Sequence, residues 1–359
     1  MARSLSAELQ TAQDTSPYKV YIELKFIDSA SGETDYSLVH GSTTNRLLYL
    51  QHDEFPYDDS ATIILLNNDL GVGDLKGHYV EIGYGHNTTD HGGSGNESSG
   101  TSRQWVEDQQ FVSSQGVLVC QITLEGMKRR LMRKLILTVD GVTVHDGVTD
   151  VTDPDFPFKF TDKTYYQILE YIIETEMGWT LLPLGDQDDG IINTTVPEFE
   201  INYAVFEYAG LIIERIMNET KCYLRFKAGL EVEVIYPQDD DAVDLTFYSN
   251  QQHFFKEYNE KDSVLIPNHV IVYGNKDEEL EEPWANIIVK EAEDVATNEQ
   301  RVTQIHILGG LREPQEVQNA ANAILARYQA QRTSGFILTS HVNNAELFDR
   351  ALIFDTRGS

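Results

Sequence analysis

The sequence predicts an α+β protein, mainly β: two similar antiparallel β-barrel domains separated by a small helix-containing α+β module, with a helix inserted in the second barrel. Three observations predict it. Short runs alternating apolar and polar residues, the pattern of half-buried strands, fill residues 18–139. Helical apolar stripes dominate residues 140–238. The alternation returns from Asp244 and is broken once, by a long Ala-rich helical segment before two final strands.

The N-terminal part, residues 1–139, opens with a short helix over residues 5–13, where Leu5, Leu9 and Ala12 share a face and Pro17 stops the run. Residues 18–26 then alternate as a strand. Ser31-Gly32 and Gly41-Ser42 supply turns. Further strands are expected over 46–51, 61–66, 79–84, 104–112, 116–125 and 135–139, close enough together for an antiparallel sandwich or small barrel. Residues 86–103 contain almost no apolar side chain. They are expected as a mobile hairpin excursion between two barrel strands, because structureless loops longer than ~12–15 residues are usually mobile or functional.

In the middle part, residues 140–238, a helix is expected over 164–178. Tyr165, Ile168, Leu169, Ile172 and Ile173 form its stripe, Asp162 or Thr164 its cap, and Gly178 its end. A second helix over 205–220 places Phe206, Ala209, Ile213, Ile216 and Met217 on one side. Strands 222–226 and 230–236 follow, joined by a Lys227-Ala228-Gly229 turn. The last part, residues 239–359, should form strands at 254–258, 269–274, 284–290 and 301–307. A helical insertion over 313–332 follows, with Pro314 in its first turn, and then strands 335–342 and 350–354.

Composition narrows the function. The 359 residues carry 58 acidic and 27 basic side chains, a net charge of −31, which excludes binders that grip phosphates with dense Lys and Arg. Hydrophobic residues at 41% exclude wholesale disorder. No apolar run approaches the ~18–20 residues of a membrane-spanning helix, so no stable membrane insertion is expected. The start lacks the basic-then-apolar pattern of a secretory signal. One segment runs against the acidity: 101–137 holds 6 basic and 3 acidic residues, with Lys128, Arg129, Arg130, Arg133 and Lys134 clustered as a solvated helix or strand end, a patch for an acidic neighbouring subunit, or a docking surface. Cys120 and Cys222 sit in apolar runs and are expected as buried, reduced residues.

No motif carries covalent chemistry. The sequence has no GxSxG, HExxH, P-loop or strand-following GxGxxG. Carboxylates are so abundant that a pair at glycosidase spacing means nothing by itself. His86, Asp90 and His91 would be metal ligands only with a third anchored partner. Asp186-Gln187-Asp188-Asp189-Gly190 is one residue short of a calcium loop, and Asp239-Asp240-Asp241 is a bare acidic turn. No catalytic, cofactor-binding or metal-binding residue is therefore assigned, no cofactor is expected, and the chain is not expected to be an enzyme.

Four stretches resemble the tail hub (baseplate hub) proteins of tailed bacteriophages, relatives of the base of type VI secretion spike proteins. They are Leu5-Ser6-Ala7-Glu8-Leu9 with Pro17-Tyr18-Lys19-Val20; Ala61–Asn68 followed by the strand Lys76–Gly85; the helix pair 165–178 and 206–220 with Tyr223-Leu224-Arg225-Phe226; and Asn344–Asp355, preceded by the Ala-rich helix. The order of elements matches over nearly the whole chain. Residues 86–103 depart from it as an insertion, and no lysozyme or peptidase domain follows the second barrel. The resemblance implies a structural virion component at the tail tip or baseplate, synthesised in the host cytoplasm. It implies a homotrimer whose two barrels per chain give six ring positions, joining a sixfold tail tube protein to a threefold tip, spike or fibre protein. The implied channel passes DNA and tape-measure protein transiently during genome ejection, and an acidic lumen would repel phosphates. Two other functions compete. A carbohydrate hydrolase would need paired carboxylates and aromatic platforms, yet Trp105, Trp179 and Trp284 fall in three different parts. A receptor-binding tail module would need calcium-stiffened loops.

Overall fold

The computed structural model describes residues 3–15, 19–28, 32–56, 58–114, 116–136, 138–139, 142–143, 158–160, 162–197, 199–201, 207–238, 241–250, 255–262, 266–275, 287–294, 301–308, 311, 313–330 and 333–356. Helix α1 (Ala7–Gln13) starts at Ser6, whose hydroxyl accepts from the Leu9 amide at 3.0 Å, and packs Leu9 and Ala12 inward. Nine strands follow: β1 (Val20–Glu23), β2 (Lys25–Ile27), β3 (Glu33–Asp35), β4 (Leu38–Val39), β5 (Leu47–Phe55), β6 (Asp58–Leu66), β7 (Tyr79–Asn87), β8 (Asn96–Ser114) and β9 (Val117–Glu125). They form one antiparallel sheet in the order β3-β2-β7-β8-β9-β6-β5, with β1 paired to β4 and β7. Alternate residues, among them Phe26, Ile63, Leu65, Ile82, Ile122 and Leu124, point into one core and are fully buried.

Two expectations change here. Residues 86–103 are largely strand rather than loop. β7 and β8 pair out to Asn87 and Asn96, and only a 3₁₀ turn at Thr89–His91 and its flanks connect them. The polar side chains that suggested a loop make hydrogen bonds instead: Ser98 donates to Glu23 at 2.5 Å, Thr88 to Glu97 at 2.7 Å and Ser6 to Glu97 at 2.5 Å. The pairing needs Gly85, where a Cβ would lie 1.8 Å from the Glu97 carbonyl oxygen. Gly85→Ala is expected to cost about 1–3 kcal/mol by forcing β7 and β8 apart, seen as a lowered thermal midpoint. The second change concerns closure. Among the described residues the strand path stays open, with β3 and β5 as its ends, so no cylinder closes. A side-chain bridge replaces the missing ladder: His52 Nδ1 on β5 lies 3.1 Å from the Tyr84 hydroxyl on β7.

Helix α2 (Met127–Leu131) then leads into short pairs: β10 (Thr138–Val139) with β11 (Val142–Thr143), and β12 (Phe158–Phe160) with β14 (Phe199–Ile201); β13 (Thr180–Leu181) lies between the last two in sequence. Helix α3 (Tyr165–Glu170) opens with a capping box between Thr164 and Gln167, runs on as a π-helical turn over Tyr171–Glu176, and ends at Gly178 with φ +68°. Helix α4 (Ala209–Glu219) and strands β15 (Tyr223–Phe226) and β16 (Glu231–Ile235) complete the unit, with β13 joining β16 in parallel. Residues 205–206 of the expected second helix lie outside the described residues. This core begins before residue 140, since Met127, Leu131 and Ile136 are part of it.

The C-terminal part comprises β17 (Leu245–Tyr248), β18 (Phe255–Asp262), β19 (His269–Asn275), β20 (Ile287–Glu293), β21 (Thr303–Ile307), helix α5 (Pro314–Ala330), β22 (Thr333–Thr339) and β23 (Ala351–Phe354). Its strands form three small sheets: β17-β23 parallel, β18-β22 antiparallel, and β20-β19-β21. Helix α5 covers one face of the last, packing Val317, Ala320 and Ala321 on Val270, Val272 and Ile288. The described residues here neither close a barrel nor repeat the strand order of the first sheet. Periodicity located β18 to β23 but missed β17, and it gave no strand its partner: β17 pairs with a strand about a hundred residues downstream.

Candidate functional site

Several of the residues singled out as chemistry-bearing are engaged in local structure. Asp90 pairs with Lys19. Asp189 accepts from the amides of Ile191, Ile192 and Lys221 at 2.9, 2.8 and 2.7 Å, and Asp188 from Gly190 at 2.9 Å, so these carboxylates tie a turn together. Asp241 accepts from the Gln238 amide at 2.9 Å, while Asp239 and Asp240 lie outside the described residues. Among the described residues no three His, Cys, Asp or Glu side chains converge as metal ligands. Cys120 and Cys222 are buried and unpaired to each other. Trp179 is core and Trp105 lies beneath Arg130, whose guanidinium carbon is 4.7 Å from its ring centroid; Trp284 is outside the described residues.

Four of the five residues of the basic cluster make ion pairs within the chain, and Arg130 lies over Trp105. Lys128 pairs with Glu214 at 2.5 Å, Arg129 with Glu125 at 3.5 Å, Arg133 with Glu107 and Glu125 at 2.7 and 2.9 Å, and Lys134 with Glu176 at 3.0 Å. These charges fasten α2 to β8, β9 and the middle unit. The side chains of Arg129, Arg133 and Lys134 nevertheless stay 58%, 41% and 37% exposed.

A cleft of about 630 Å³ opens along β5, between it and β1 and β7. Tyr21, Tyr49, His52, Tyr84, His86 and His341 are the aromatic part of its wall, and among the described residues no Asp, Glu, Lys or Arg lines it. In a chain this acidic such a lining is distinctive: the described residues of the cleft include no pair of carboxylates of the kind a glycoside hydrolase uses. The Tyr84 and His341 rings lie 4.1 Å apart by centroid. Burial works against charge on His52, yet its pKa is raised, because Nε2 lies 2.7 Å from the Asp59 carboxylate. Asp59 also accepts from Ser102 and Gln104. Ser102 thus gives its hydroxyl proton to the carboxylate and not to an imidazole, so this constellation is an anchor and not a nucleophile–base pair. His86 and His341 are both shifted downward by burial.

Beside the cleft, a buried ionic network binds the parts of the chain together. Arg225 on β15, 3% exposed at its side chain, donates to Glu233 at 2.7 and 3.1 Å, to the Leu347 carbonyl at 3.1 Å and to Asp349 at 3.1 Å. Glu346 pairs with Arg3 at 3.1 Å and Lys227 at 3.5 Å, and Arg3 reaches Glu54 on β5 at 3.3 Å. No periodicity points to this network, since Arg225 and Asp349 are 124 residues apart.

The remaining feature is exposed apolar surface. On the three-stranded sheet, the face away from α5 presents Ile287, Val289, Ile305 and Ile307, the last 81% exposed. Phe336 and Leu338 on β22, and Leu352 and Phe354 on β23, are also exposed. Apolar rows of this kind mark contact surfaces. No helix among the described residues is long and apolar enough to cross a membrane.

No family model and no curated protein matches the sequence. Solved structures do match. The tail protein from Neisseria meningitidis MC58 aligns over 95% of this chain and 88% of its own, with TM-score 0.60 and 9% identity. The 43 kDa tail protein of prophage MuSo2 from Shewanella oneidensis aligns over 94% and 89%, with TM-score 0.57 and 11% identity. A lower similarity, TM-score 0.44 at 12% identity, relates 84% of the chain to 46% of a chain in the Francisella PdpA–VgrG complex. Over nearly its whole length the chain therefore has the fold of solved tail proteins.

Proposed function

We propose that this chain is a structural component of a phage-type tail, and that three copies form a hub between a sixfold tail tube and a threefold tip, spike or fibre. The observation that carries the reading is the likeness to the Neisseria tail protein over 95% of this chain and 88% of that one. The uncovered apolar rows on β20, β21, β22 and β23 support assembly, since a monomer would leave them in water. On this reading the function is mechanical, and the virion is where it acts. The channel would pass DNA and tape-measure protein, and its acidic wall would repel phosphates. The internal twofold repeat expected from sequence is not part of the support, because the two sheet systems pair their strands differently.

Light scattering after size exclusion tests the assembly. A particle of three times the 40.7 kDa chain mass is expected, visible as a ring with a central hole in negative stain. Copies carrying −31 repel one another, so the trimer fraction should rise between low salt and about 0.5 M NaCl as screening shortens to a few ångströms. A monomer at every salt and protein concentration would overturn the reading.

A further inference from the structure

Residues 339–343, where β22 ends, form part of the wall of the cleft along β5, and their polar side chains are not spent on the fold. Asn343 is only 2% exposed, and its Nδ2 is buried with no hydrogen-bond partner. Ser340 and His341 make no side-chain hydrogen bond among the described residues. A buried donor without a partner costs stability, and a native fold keeps one where something outside the chain completes it. The wall itself is fixed by other contacts. The Asn343 backbone amide donates to Gln13 Oε1 at 2.7 Å, and the His341 ring packs on Tyr84. Two of the lining rings remain accessible, Tyr49 at 46% and His341. The His341 ring is open to the cleft yet surrounded by protein. That loss of hydration, reinforced by Arg3, His52 and His86, pushes its pKa down to about 4. At pH 7 the imidazole is therefore neutral, with one donor and one acceptor to offer.

We propose that this cleft binds a neutral oligosaccharide, with sugar rings laid on Tyr49 and His341 and sugar oxygens paired with Ser340, His341 and Asn343. The chemistry of the wall selects this class. An anion would meet no Lys or Arg among the described lining residues, in a chain of net charge −31, and a cation would meet no carboxylate. A hydrocarbon would fill the space beside Val20, Ile22, Leu50 and Val342 but leave the Asn343 donor unmade. A neutral sugar carries hydroxyls that both donate and accept, and a flat C–H face that packs on an aromatic ring. The volume of about 630 Å³ falls within the ~300–1,000 Å³ usual for ligand sites. The bound sugar would stay intact, because no pair of carboxylates lines the described part of the cleft. This site goes beyond the hub reading and does not rest on it.

A glycan array carrying neutral and acidic oligosaccharides, probed with the labelled full chain at pH 7, tests the site. Neutral glycans should be retained, and sialylated or sulphated ones should not. Titration calorimetry with the best-retained glycan then separates the residues. Tyr49→Ala removes a ring platform and Asn343→Ala removes the unpartnered donor, and each should weaken binding about tenfold or more. Asn343→Ala keeps the backbone amide that Gln13 accepts and deletes a group without a partner, so its thermal midpoint should stay near wild type. Phe111→Ala alters an exposed ring on β8 outside the cleft and should bind as wild type does. Retention of no glycan, equal retention of acidic ones, or unchanged affinity in either cleft variant would overturn the site. Capture of uncharged peptides alone would overturn it too, and would make the cleft a docking groove for a protein. None of these outcomes touches the trimer, which light scattering decides separately.

Discussion

Arg225→Ala is expected to lower the unfolding free energy by about 3–5 kcal/mol, the cost of breaking a buried ion pair from one side. The guanidinium is 3% exposed and satisfies Glu233, Asp349 and the Leu347 carbonyl at once. Truncation leaves these acceptors buried and places Glu233, Glu346 and Asp349 around a cavity with only Lys227 and Arg3 to offset them. The burial of Asp349 already pushes its pKa up with Arg225 in place. Without Arg225, the carboxylates should take up protons or admit water. Urea denaturation at pH 7 measures the loss. Arg301→Ala, which removes an exposed pair with Glu293, provides the contrast and should stay within about 0.5 kcal/mol of wild type. A loss below about 1 kcal/mol for Arg225→Ala would mean that the network does not hold the C-terminal segment to β15.

This network also shows where sequence reasoning stops. Helices α4 and α5 were legible because apolar residues recur at helical spacing, and each stripe faces a core. Strands β6, β7 and β9 were legible because alternation survives wherever one face is buried. Residues 96–103 of β8 were not, because their inward positions include Thr101 and Ser102, which are buried as polar groups. A pattern scored on hydrophobicity sees a loop there. Helix α2 was hidden in a basic run whose charges pair within the chain. Barrel closure was illegible for a different reason. Whether β5 meets a partner across the seam depends on spacing between distant strands, and neither strand's own pattern encodes it. The cleft and the Arg225 network both depend on such pairings, so their residues can be read in the chain but their convergence cannot.

Stability should fall as pH rises through 5 to 8, and Glu219 is expected to be a main cause. Its carboxyl ends α4 inside the middle core, accepts the hydroxyl of the fully buried Tyr165, and is only 8% exposed. Loss of hydration on burial pushes its pKa up to about 7. The Tyr165 hydrogen bond opposes that rise, the nearby Glu316 adds to it, and Arg215 again opposes it. The sign follows from proton binding. Between the ordinary value of 4.5 and about 7, the folded chain holds a proton that the unfolded chain has released. Folding is therefore favoured at the low end of this window and is progressively penalised toward the high end, by on the order of 3 kcal/mol once both states are ionised. Glu219→Gln keeps an acceptor for Tyr165 and removes the ionisation. It should match wild type near pH 5 and exceed it at pH 8 by most of that amount, measured as denaturation midpoints across the range. Equal stabilities at pH 8 would show that Glu219 ionises in the folded protein without cost, which would require water to reach the junction of α3, α4 and α5.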